Sequence, residues 1–281
     1  MNFSFGNGGS SSGIIKNISF SYNTVNSESI GTIFTCYGEE GSENISINNN
    51  TIKWKHLGND ISYSGIITNL YTTNLKVANN QIECTSQEGS TGYLYKFAEN
   101  AEFYDNILNI NLGLASLSSN NSTSIFKNNI INFNSDIDFI YEGYEFTNNT
   151  VNINGEIGII NNTTPVLFRF YGKTINKDVK IIDNTISINS TNTCPTSIFF
   201  MFNSYINNYN INFSNNIINS TTETNTKVLI HLQYMNDLVS QKIYLNNNIS
   251  NIFKQIYFLN NKMNPTVIVN GKEINTNTTL E

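Results

Sequence analysis

A pair of asparagines set between two short apolar alternations recurs along the chain, and nothing else in the sequence constrains the fold as tightly. In the register apolar-x-apolar-x-[Asn/Asp/Tyr]-Asn-x-apolar, the copies are 18–25, 45–52, 75–82, 101–108, 124–131, 144–151, 179–186, 211–218, 242–249 and 256–263. Their second asparagines are Asn23, Asn50, Asn80, Asn106, Asn129, Asn149, Asn184, Asn216, Asn247 and Asn261, in steps of 27, 30, 26, 23, 20, 35, 32, 31 and 14 residues. Repeats of this length mean solenoids, propellers or arrays. Variable steps fit a turn that gains and loses loop residues at one corner around a fixed strand–turn–strand element. No stretch sustains an apolar period near 3.6, which argues against helical repeats. What remains is a solenoid of strands, each turn pairing only with its neighbours while the stack buries a continuous core.

Asparagine is a poor strand former, so its place between strand signals needs a reason. One member of the pair suits the left-handed region, which asparagine tolerates better than other non-glycine residues and which turns the chain sharply. Stacked at one corner of successive turns, such side chains also hydrogen-bond neighbouring backbone that a corner would otherwise leave unpaired.

The ten copies resemble the right-handed parallel β-helix proteins of pectate-lyase-like shape, over residues 18–263. The resemblance implies an all-β chain, a single-stranded right-handed parallel β-helix of about ten coils spanning 14–264. The Gly- and Ser-rich segment 1–13 reads as flexible and offers no capping helix. Residues 265–279 read as a hairpin around Asn270-Gly271 that caps the last coil, and Leu280-Glu281 as the stub left before a tag. The superfamily includes polysaccharide lyases, glycoside hydrolases, phage tailspikes, adhesins and binding modules, so the resemblance speaks to fold and not to function.

Charged residues are only 13% of the chain, so solubility rests on Asn, Ser and Thr. A net charge of −6 lacks the clustered cations that track phosphates, which argues against nucleic acid. No apolar run reaches the length of a membrane span. Cys36, Cys84 and Cys194 show no metal or disulfide spacing and read as small buried hydrophobes. Asn-x-Ser/Thr triplets occur as often as so much asparagine makes them, and imply no glycosylation.

Motifs for phosphate binding, zinc proteolysis and serine hydrolysis are absent, as are the Asn-Thr-Asp, Asp-Asp, Gly-His-Gly and Arg-x-Lys elements that galacturonan hydrolases share. The best acidic cluster is Asp136, Asp138 and Glu142, with Glu145 close by. Paired carboxylates there suit calcium or acid–base chemistry, but the acids number too few for a firm site, and the expectation is no cofactor.

A second strand per coil runs through 32–38, 65–71, 93–99, 138–144, 166–172, 198–204 and 228–234. Alternation assigns Phe34, Cys36, Ile67, Tyr95, Phe97, Ile140, Phe168, Phe170, Phe200, Phe202, Ile230 and Leu232 to the core. The opposite face then carries Thr35, Thr68, Lys96, Tyr141, Arg169, Met201 and His231 in one column, beside Tyr37, Tyr171 and Gln233. The chain's single arginine falls in it. Rings and planar donors suit a sugar polymer, so Lys96, Tyr141, Arg169, Tyr171 and His231 are the candidate ligand-binding residues. His231 lacks a carboxylate partner in the sequence, and His56 reads as a loop residue.

The expected function is a non-catalytic extracellular or cell-surface module, adhesin-like, that either binds a polysaccharide or cell-surface glycan or forms a rigid spacer. The rivals are a lyase or hydrolase acting on acidic glycans through Asp136, Asp138 or Arg169, and a trimeric tailspike segment.

Overall fold

The computed structural model describes residues 3–5, 14–58, 60–61, 66–86, 91–96, 101–112, 114–118, 124–141, 143–157, 166–171, 174–175, 178–190, 197–202, 205–206, 210–221, 228–233, 242–251 and 266–274. Among them every regular element is a strand, and all but one pairing for which a register is resolved is parallel. No helix among them is long and apolar enough to cross a membrane. The chain divides into two compact units, 1–136 and 137–281.

In the first unit, the strand before each asparagine pair lies beside its counterpart in the next copy. Lys16–Ser21, residues 43–48 of the long strand Phe34–Asn48, Lys76–Ala78, Glu102–Tyr104 and Ile125–Lys127 form this set. The strands after the pair, Thr24–Ser29, Thr51–His56, Gln81–Ser86, Ile107–Asn111 and Ile130–Phe133, form a second. A third contains Phe3–Phe5, residues 34–37, Ile67–Thr73, Thr91–Lys96 and Leu114–Ser118.

Register follows the apolar pattern, because a slip of one residue would turn every side chain to the other face. Ile47, Val77, Phe103 and Phe126 make one buried column, with the last two rings stacked at 4.6 Å. Val25, Ile52, Ile82, Leu108 and Ile131 make another. Each such side chain contributes about 1.5–3 kcal/mol by leaving water. Phe3–Phe5 lies inside the segment expected to be flexible, yet it is a strand, because Phe3 packs its ring on Phe20 and Phe34.

The second unit repeats the scheme. Glu145–Thr147, Val179–Ile182, Ile211–Ser214, Lys242–Asn246 and Thr266–Val269 lie in parallel, as do Thr150–Ile153, Thr185–Ile188, Ile217–Ser220 and Ile249–Ser250. Val166–Tyr171, Ser197–Phe202 and Val228–Gln233 form the third set. Lys272–Ile274 folds back antiparallel on Thr266–Val269 around Asn270 (φ 49°) and Gly271 (φ 79°). Two successive positive φ angles match a two-residue hairpin to the strand twist. Copy ten, 256–263, lies outside the described residues; the strand beside Lys242–Asn246 is Thr266–Val269.

The asparagine pair divides its labour. The first member turns left-handed in each described copy: Tyr22, Asn49, Asn79, Asp105 and Asn128 in the first unit, Asn148, Asp183, Asn215 and Asn247 in the second, with φ from 52° to 61°. The second member is buried, at most 2% exposed from Asn50 through Asn216, and forms a ladder. The Asn106 backbone N–H and its Nδ2 both donate to Asn129 Oδ1, at 3.0 Å each, while Nδ2 also donates to the Val77 carbonyl at 2.8 Å. Asn106 Oδ1 in turn accepts from the backbone and Nδ2 of Asn80. The same bonds join Asn23, Asn50 and Asn80, and in the second unit Asn149, Asn184, Asn216 and Asn248. Every donor and acceptor of a buried primary amide is thereby used.

The ladder corrects copy nine. Asn216 bonds to Asn248, and Asn247 is the left-handed corner. Three consecutive asparagines at 246–248 allow two alignments, and the Ile211↔Ile243 register selects the later one.

Candidate functional site

The column expected to face outward falls in both units. In the first, Thr35, Thr68 and Lys96 are in register as expected, but Thr35 is buried and not an exposed outward residue. In the second, Arg169 pairs with Phe200, and Phe200 with His231, whereas Met201 lies between Phe170 and Leu232. Met201 therefore leaves the expected column and Phe200 enters it. The strand Ser197–Phe202 runs Ser-Ile-Phe-Phe-Met-Phe, so after Ser197 alternation has no polar residue to fix its phase.

Tyr141 is not an outward residue. It is fully buried, pairs with Phe168 instead of Arg169, and places its ring 5.1 Å from that of Phe146. Phe139, Ile140 and Tyr141 are all buried, so the chain here is bent, and period-2 alternation fails. A Cβ built on Gly143 would overlap the Tyr141 hydroxyl, so the ring requires glycine at that position. The side chains of Lys96, Arg169, Tyr171 and His231, and the whole of Glu142, lie outside what the structure describes.

Asp136 and Asp138 are half-buried and alternate with buried Ile137 and Phe139. Among the described residues no three His, Cys, Asp or Glu side chains gather closely enough to hold a metal ion. His56 ends the strand Thr51–His56 and is fully buried, its ring 5.2 Å from that of Trp54. Its loop assignment is thus corrected: the strand carries the inward phase of Ile52 and Trp54 two residues further. Cys36 and Cys84 are buried free thiols, and Cys194 lies outside the described residues. Burial pushes the Cys36 thiol up to about 12, and raises Cys84 as well, with the Glu83 charge adding to it. Both stay protonated and unreactive at neutral pH.

A shallow groove of about 210 Å³ lies on the outward face of the strands 24–29, 51–56 and 81–86. Register places Asn26, Lys53 and Glu83 in one row, and Glu28, Lys55 and Thr85 in the next. Lys53 leans to Glu83 on one neighbouring strand (3.1 Å), and Lys55 leans to Glu28 on the other (3.4 Å). Two same-face lysines on the middle strand thus part in opposite directions, and the gap between them lies over the strand at Trp54, whose side chain is buried on the inward face with Ile52 and His56. The Trp54 Nε1 donates to Ser29 Oγ at 3.1 Å, which fixes the ring. No family model matches the chain, and neither curated proteins nor solved structures give a match.

Proposed function

We propose that the chain is a non-catalytic, extracellular or cell-surface β-helix module, adhesin-like, that binds glycans along an outward strand face. In this reading the parallel sheets form a right-handed, single-stranded β-helix of about ten coils with pectate-lyase-like shape. The observation that carries the proposal is the cross-copy register: the buried asparagines are committed to the ladder, while polar side chains outside stand in rows at the ~4.8 Å strand spacing. Rows of that kind suit an extended polymer better than a compact metabolite.

The test is a glycan array read together with absorbance from unsaturated uronates on a pectin panel. Retention of glycans without new absorbance or new reducing ends supports a binding module. Turnover of any of them would replace it with a lyase or hydrolase. Light scattering decides the tailspike alternative, which requires a trimer.

A further inference from the structure

We infer that the groove over Trp54 is a subsite for a neutral sugar ring; this rests on the glycan-binding reading above. Its two walls are ion pairs, Lys53–Glu83 and Glu28–Lys55, so each side offers a donor and an acceptor. Asn26 and Thr85 stand at the ends of the diagonal, adding an amide and a hydroxyl. Two lysines balance two glutamates, so the groove carries no net charge on a chain of −6.

That balance selects a ligand class. A uronate or phosphate polymer would meet a carboxylate for every ammonium, and gains nothing by charge. Sugar hydroxyls both donate and accept, and match walls that do both. The volume, about 210 Å³, holds roughly one pyranose ring and falls below the ~300–1,000 Å³ of drug-sized pockets. The grid is also local. One copy further along this face, Ile107 follows Gln81 and Asn109 follows Glu83, and Asn109 is engaged with Asn132 at 2.8 Å. Among the described residues of this face, the charged walls belong to the first three copies.

The experiment titrates the full chain with neutral gluco-, galacto- and manno-oligosaccharides and with oligogalacturonate, at low and high salt, by calorimetry. One neutral series should bind with an affinity that salt leaves unchanged. Removing a wall, as Lys53→Ala with Glu83→Ala, should weaken it at least tenfold, while the charge swap Lys53→Glu with Glu83→Lys restores most of it. Circular dichroism confirms that these exposed-face variants fold. Neutral binding that survives loss of both walls overturns the subsite. Binding of uronates alone, lost on Arg169→Lys, overturns the subsite but leaves the glycan reading standing. No binding by any glycan overturns both.

Discussion

Two files of asparagine run side by side at the same corner and obey different physics. Asn106 and Asn128 sit one copy apart, the first as a buried rung and the second as an exposed left-handed turn. The rung matters for its amide: its side chain donates and accepts in four bonds that water cannot replace. The turn matters for its backbone. Asn128 Nδ2 donates to Asp105 Oδ1 at 3.1 Å, but that bond is exposed, and Asp, Asn and even Tyr22 occupy the equivalent place. Composition alone cannot separate the two roles; neighbouring copies do.

The largest effect should follow from Asn106→Ala. It leaves the buried Asn80 N–H and Nδ2 without their acceptor and removes donors from the Val77 carbonyl and Asn129 Oδ1. At about 1–3 kcal/mol per stranded group, partly relieved by relaxation, the loss should be about 3–5 kcal/mol in urea unfolding. A loss below 1 kcal/mol would mean that the ladder is decorative. Asn128→Val should cost about 1–2 kcal/mol, because a β-branched residue is forced to φ 57°. Asn128→Gly should fall within about 0.5 kcal/mol of the parent, since glycine accepts that φ freely. If the two substitutions at 128 prove equally damaging, the exposed file is a hydrogen-bonding element as well, and the contrast with Asn106 disappears.

Much of this was legible in the chain. The Asn-Asn phrase fixed the repeat, the all-strand class and the corner, because few residues tolerate a left-handed turn between strands. The hairpin at Asn270-Gly271 could be read from two residues alone. A further exposed corner was missed: Asn17, Asn44 and Asn74 are also left-handed, with Asn44 Nδ2 bonded to Asn17 Oδ1 at 3.1 Å. They precede Asn23, Asn50 and Asn80 by a constant interval, and that shared spacing was the available signal. Tyr141 was misread because alternation assumes an extended strand, and the chain bends between Phe139 and Gly143. The groove over Trp54 could not be seen from one copy, since its walls join residues from three; it emerges only once the copies are aligned as Asn26–Lys53–Glu83.

The thiols offer a smaller test of the same core. Cys36 ordinarily ionises near 9.0 and is held at about 12 by burial, so the folded state keeps its proton longer than the unfolded chain. Its contribution is therefore complete below pH 9.0 and declines as pH rises toward 12, while a thiol reagent at neutral pH should label Cys36 and Cys84 only after denaturation. Rapid labelling of either in the folded protein would place it at the surface. Smallest of all, Lys53→Ala should change stability by less than about 0.5 kcal/mol, because its pair with Glu83 is largely exposed.

Side-chain hydrogen exchange tests the ladder most directly. With asparagine labelled selectively, the Nδ2 protons of Asn80 and Asn106 should persist long after those of Asn44 and Asn128 have exchanged, because only the former are enclosed between two oxygens and shielded from water. Exchange of both groups at the rate of free asparagine would show that the buried file opens as readily as the exposed one, and would contradict the central claim that the amides hold the copies together.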